Sequence, residues 1–279
     1  MLPAAPVTAT RIGCFISLSS HICTPRCAMG RDSCPYWLPC RAILEVCQIL
    51  VARMERRQAA IIALLLVGAA PTISTICSFV LNDGLVSQFI FVFTKLWLLC
   101  VPIIWFIKMD GGSISWSKPQ QGGYLMSIGL GIAMSVVMVA AWLLLGDAID
   151  AKLLSNALEP VGLMDPKIYL LATIYWILIN SLLEEYVFRW FLVIKSEELV
   201  GEGTPAIVLS ALIFIVHHTV ALAIFGFPWW ANLISSVALF IGGAIFSWLY
   251  VRYRSVWIPY IAHAICDVAV FGVGAIILF

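Results

Sequence analysis

From residue 54 onward the chain is divided into apolar stretches of about 20 residues, each long enough to cross roughly 30 Å of hydrocarbon as a helix. The stretches fall at 59–81, 87–107, 124–145, 168–193, 204–225, 230–251 and 255–278. Lipid offers no partner to an open backbone group, so each stretch must be a helix or part of a closed barrel. Barrel strands would read as alternating segments of about ten residues, and the sequence has none. The expected fold class is therefore all-α, a polytopic transmembrane helical bundle of about seven to eight spans. Composition agrees: 62% of the residues are hydrophobic and 11% charged, against roughly a quarter charged in a soluble domain. A soluble globular domain and a disordered chain are both excluded. The net charge of +1 leaves no basic character, so no nucleic-acid partner is expected.

The first 53 residues are a different kind of sequence. Six of the nine cysteines lie there: Cys14, Cys23, Cys27, Cys34, Cys40 and Cys47. They are mixed with Arg, Pro and Ser and follow no helical period. Their spacing is not the paired pattern of a zinc site, and no apolar core with a cleavage site marks a secretory signal. Met54 opens Met-Glu-Arg-Arg and then the first apolar run. Residues 1–53 are read as a poorly ordered Cys-rich extension ahead of the expected start at Met54, and residues 54–279 as the membrane-embedded domain.

Positive charges set the orientation. Arg53, Arg56 and Arg57 precede the first span, Lys108 and Lys118 follow the second, Lys195 the fourth, and Arg252 and Arg254 the sixth. If the spans alternate, all of these share one side. The loop 146–167 lies opposite and offsets Lys152 and Lys167 with Asp147, Asp150, Glu159 and Asp165. The Met54 end is therefore expected in the cytoplasm. Trp116, Trp190, Trp229, Trp230 and Trp257 fall near span ends, as interfacial anchors do. Ala238 and Gly242, and Gly243 and Ser247, are four apart in the sixth span and predict close helix packing and nothing more.

Ionisable groups inside the spans carry the functional information, because a charge in hydrocarbon costs several kcal/mol unless it meets a partner or a cavity. The fourth span holds Glu184-Glu185-Tyr186-Val187-Phe188-Arg189. Glu185 and Arg189 share a face in the order that favours an intrahelical ion pair. Glu184 is turned about 100° away, with Asn180 one turn before it as a hydrogen-bond partner. The fifth span holds Phe214, His217 and His218, and the seventh His263 and Asp267 four apart. Lys95 in the second span reads as a snorkelling or ion-paired residue, and Asn232 as structural. Taken singly, each cluster is also explained as an interfacial group or a satisfied polar pair. Depth joins them: Glu184 lies about 15 Å from its cytoplasmic end, His218 about 21 Å into its span, and His263 and Asp267 about 12 and 18 Å into theirs. One shared polar site is expected.

Glu-Glu-x-x-x-Arg at 184–189, Phe-x-x-x-His at 214–218 and His-x-x-x-Asp at 263–267, in this order, resemble the CAAX-prenyl-protease and bacteriocin-processing (CPBP, or Abi) family of intramembrane glutamate-dependent endopeptidases. The resemblance covers roughly residues 165–275. It implies a hydrolase acting near the C-terminus of CAAX-type or other membrane-associated substrates. It also implies that Glu184 is general base on a water which His218 holds and polarises. Glu185 and Arg189 become a supporting pair, Phe214 a wall beside His218, and His263 with Asp267 the oxyanion-stabilising group. The third motif often ends in Asn in that family. Here Asp267 must be protonated, or bound to His263 and holding it as a donor. The family spacing favours His218 over His217.

The implied partners are a peptide or lipidated protein substrate and membrane lipid, with the cavity mouth cytoplasmic and no cofactor. Two other readings use the same residues. A zinc-dependent membrane protease would take Glu184, His218 and His263 as ligands with Asp267 behind His263, although a His-Glu-x-x-His helix is missing. A non-catalytic membrane scaffold or immunity protein would keep the site without using it.

Overall fold

The computed structural model describes residues 54–80, 84–113, 115 and 117–279. The expectations for residues 1–53, including Arg53, and for Trp116 lie outside the described residues. Among the described residues there are helices and no strands. Seven are long and apolar enough to cross a membrane. They are α1 (Met54–Val80), α2 (Gly84–Lys108), α3 (Tyr124–Ala148), α5 (Pro166–Val200), α6 (Thr204–Ile224), α7 (Trp229–Tyr253) and α8 (Trp257–Leu278). The short α4 (Ala151–Leu158) lies in the loop between α3 and α5, started by Asp150, whose side chain accepts from the backbone of Lys152 and Leu153. The chain is an integral membrane protein.

The surface of the bundle is apolar. Leu85, Leu125, Leu144 and Trp229 are each about four-fifths exposed, as lipid-facing side chains must be. Because lipid is as apolar as these side chains, cohesion comes from close packing and interhelical hydrogen bonds. Residues from α1, α2, α5 and α6 form one packed cluster, including Val67, Leu98, Phe188 and Phe214. A second joins α3, α7 and α8 through Phe246, Leu249, Ile258 and Ala262.

A close seam lies between α3 and α8. Ser127, Gly131 and Ser135 form a stripe four residues apart along α3. Ser127 donates to the Ile258 carbonyl, and Ser135 to the Ile265 carbonyl at 3.2 Å. A Cβ on Gly131 would stand 3.0 Å from both the Cα and the carbonyl oxygen of Ala262. This stripe sets the position of α8 and so of His263 and Asp267. Gly131→Leu is expected to force the seam apart at about 1–3 kcal/mol, read as a lower midpoint of thermal unfolding in detergent. An unchanged midpoint would show that the seam is looser than described.

On α7, a Cβ on Gly243 would lie 2.9 Å from the Phe214 ring, so this small residue makes room for that ring on α6. Ser247 does more than save space, because it accepts a hydrogen bond from Arg189 at 3.1 Å. Asn232 donates to the Thr219 carbonyl at 3.1 Å and ties α7 to α6, the structural part expected of it.

The fourth span departs from its expected end at residue 193. Its helix continues to Val200, 35 residues in all, or about 52 Å at helical rise. That exceeds the hydrocarbon thickness, so the last turns reach beyond it. Lys195 is therefore not a free loop charge. It is buried against Asp110 and Glu198, both at 2.8 Å. Glu197 on the same turn holds Arg254 through two hydrogen bonds of 2.9 and 3.0 Å. These pairs anchor the end of α5 to the segment after α2 and to the α7–α8 turn.

Candidate active site

Helix α5 changes its winding where it carries the acids. The N–H of Ser181 bonds the carbonyl of Trp176, and that of Leu192 the carbonyl of Val187, both five residues back. Trp176–Asn180 and Glu185–Phe191 are thus π-helical, with the α-helical turn Ser181–Glu184 between them. Even α-helical spacing was the expectation for this span. Wide turns of this kind are rare and recur at functional sites.

Glu184 is held from both carboxylate oxygens. Oε1 accepts from Nδ2 of Asn180 at 2.7 Å. The amide oxygen of Asn180 in turn accepts from the ammonium of Lys95 on α2. Oε2 faces Nε2 of His263 at 3.8 Å, a charge contact rather than a hydrogen bond. One nitrogen each of His217 and His218 and one Glu184 oxygen all lie within 4.8 Å of one another. The acid of the fourth span and the imidazoles of the fifth and seventh spans therefore meet in one cluster.

Glu185 is fully buried and joins two helices. Its Oε2 accepts from Nε of Arg189 at 3.2 Å, and its Oε1 from Nδ1 of His263 at 2.8 Å. The Arg189 guanidinium is also fully buried. It lies over the Phe214 ring at 4.5 Å and the Phe246 ring at 5.5 Å, and both ring faces attract a desolvated cation. His263 stacks on Phe246, ring centroids 5.0 Å apart. With Nδ1 turned to Glu185, Nε2 is the atom His263 presents to Glu184.

His218 points Nδ1 at the Phe214 carbonyl, 3.1 Å away. A carbonyl only accepts, so Nδ1 carries the hydrogen and Nε2 is left with its lone pair. Phe214 packs beside it, ring centroids 4.5 Å apart. His217 is buried, stacks on Phe188, and its Nδ1 has no hydrogen-bond partner among the described residues.

Asp267 sits differently from the expected His263–Asp267 pair. Its Oδ1 is 3.6 Å from Nε2 of His263, too long for a hydrogen bond. Its Oδ2 is 2.5 Å from the hydroxyl of Ser181, which also lies 2.7 Å from the Trp176 carbonyl. Ser181 has one hydrogen for two oxygens. Either it donates to an ionised Asp267, or it donates to Trp176 and Asp267 donates a proton to it. The group that orients His263 is Glu185, from another helix.

Sequence reasoning missed three members of this cluster. Ser181 gave no signal, and Ser247 only that of a small packing residue, because a serine in a span is ordinary. Lys95 did give one, a cation in mid-span, but helical period cannot say which helix it turns toward.

Residues 166–269 match the family model described as type II CAAX prenyl endopeptidase, Rce1-like. The segment carrying the three motifs is similar to this family. The match spans α5 to α8 and includes every site residue named above except Lys95, which lies on α2. The match to the Rce1-like model supports an intramembrane endopeptidase in general terms. Comparison with curated proteins and with solved structures gives no significant match.

Proposed function

We propose that the chain is an intramembrane endopeptidase that hydrolyses a peptide bond near the C-terminus of a CAAX-type, lipidated substrate, with Glu184 as general base. The observation that carries this reading is the approach of the Glu184 carboxylate to Nε2 of His263 and to the His217 and His218 rings inside the bundle. A water between Glu184 and Nε2 of His218 has an acceptor for its proton and a second group to hold it. Its oxygen adds to the scissile carbonyl carbon while its proton passes to Glu184. The carbonyl oxygen gains the negative charge, and Nε2–H of His263 is the donor for it. The Glu185 carboxylate behind Nδ1 stabilises the charged imidazole, as the buried acid of a catalytic triad does. The C–N bond then breaks, and Glu184 returns the proton to the leaving amine. Of the two Ser181 arrangements this step takes the second, in which a neutral Asp267 donates to Ser181 and does not repel the oxyanion. The clustering of positive loops favours a cytoplasmic cavity mouth. Purified protein is expected to cleave a farnesylated CAAX peptide. Membrane peptides that vanish in a Glu184→Gln strain would name the natural substrate.

A second reading rests on one observation. Glu184, His217 and His218 offer three atoms close together, and carboxylate and imidazole are zinc ligands that leave a fourth position open for water. This set takes His217 where the sequence-based set takes His263, whose Nδ1 is engaged by Glu185. Metal analysis and chelation separate the readings. Activity that survives a strong chelator supports the metal-free mechanism. Stoichiometric zinc lost together with activity supports the second.

A further inference from the structure

We infer that Lys95, on a helix outside the matched segment, is a positioning residue for Glu184. This rests on the reading of Glu184 as the general base. Lys95 lies within α2, where a cation needs a partner. Its ammonium has only donors, so it must meet the oxygen of the Asn180 amide. That contact fixes which way the amide points. The NH2 group is left for Oε1 of Glu184, at 2.7 Å. Without the cation the amide oxygen loses its partner, and the side chain is free to leave its place beside the carboxylate. The chain Lys95–Asn180–Glu184 thus ties up Oε1 and leaves Oε2 on the side of His263, where a water and a peptide carbonyl would be handled.

Helix α2 is held in register for this contact by the Tyr186 hydroxyl, which donates to the Leu99 carbonyl at 2.9 Å. The ammonium lies over the Phe91 ring, 5.2 Å from its centre, a face that attracts a cation.

The test uses Lys95→Met, Lys95→Arg, Asn180→Ala and the Lys95→Met/Asn180→Ala pair in the full chain, with a farnesylated CAAX peptide as probe. Lys95→Met is expected to lower kcat about tenfold or more, the usual effect of losing a charge-assisted hydrogen bond, with KM changed less than about twofold. Lys95→Arg is expected to recover most of the loss. The double variant is expected to be no slower than Asn180→Ala, because both residues act along one chain. Unchanged kcat in Lys95→Met, or losses that multiply in the double variant, would overturn the proposal.

A second measurement does not depend on turnover. Dicyclohexylcarbodiimide enters lipid and reacts with protonated carboxyl groups, and peptide mass spectrometry reports the labelled residue. Labelling of Glu184 is expected to rise about fivefold or more in Lys95→Met, as the carboxyl group is released from the Asn180 amide that Lys95 holds against it. Equal labelling in wild type and Lys95→Met overturns the inference whatever the peptide assay gives. If wild type fails to cleave the peptide while labelling rises, the CAAX-substrate reading fails and the assignment of Lys95 stands.

Discussion

Glu184→Gln is expected to lower cleavage of a farnesylated CAAX peptide at least about a hundredfold, the usual contribution of a positioned general base. Gln has nearly the same shape, and its amide oxygen can still accept from Asn180, so the fold is kept. What it cannot do is take a proton from water. Yield and thermal midpoint in detergent should therefore match wild type while kcat falls. His218→Ala is expected to act in the same direction, because Nε2 of His218 carries the only free lone pair on that ring. Full activity in Glu184→Gln would reject the general-base mechanism outright. Loss of both yield and activity would instead mean that the carboxylate is structural.

The second large effect is expected at the buried pair. Glu185→Ala leaves the Arg189 cation fully buried without its carboxylate and removes the acceptor for Nδ1 of His263. Breaking a buried ion pair from one side costs about 3–5 kcal/mol, because the remaining charge cannot reach water. Folded yield should collapse in Glu185→Ala and in Arg189→Ala. Replacing both residues together, as Glu185→Leu with Arg189→Met, removes both buried charges and is expected to restore much of the stability. Activity should stay low in that double variant, because His263 still lacks the group that orients it. A double variant that is stable and fully active would show that the pair serves the fold alone. One that remains unfolded would show that hydrogen bonds to Ser247 and His263, rather than charge, hold this region together.

Much of the architecture was legible along the chain. All seven spans were placed to within a few residues, apart from the extended ends of the first span and of the fourth, because a run of apolar residues has nowhere to go but lipid. Along the sequence the fourth ends at 193 and Lys195 follows it as a loop charge, with Glu197 and Glu198 just beyond. They are instead partners for Asp110 and Arg254, which a single span does not display. Within the site, pairs on one helix were legible: Glu185 with Arg189, and Asn180 with Glu184, each four apart. His263 and Asp267 have the same spacing, yet their closest partners lie on α5. Spacing brings two side chains to one face but does not say whether a better partner waits across the interface.

Sequence alone determined that this chain crosses a membrane repeatedly and that a few ionisable side chains are driven together at mid-depth. Both follow from the free energy of placing polar atoms in hydrocarbon, which depends on residue type and position along a helix. Only the tertiary structure decided which groups meet: Glu185 with His263, Lys95 with Glu184 through Asn180, and Asp267 with Ser181. Those contacts depend on how each helix is rotated about its axis and how closely its neighbour approaches. Two π-helical turns in α5 and the glycine–serine seam of α3 set both, and neither rotation nor approach is written in the period of a single helix.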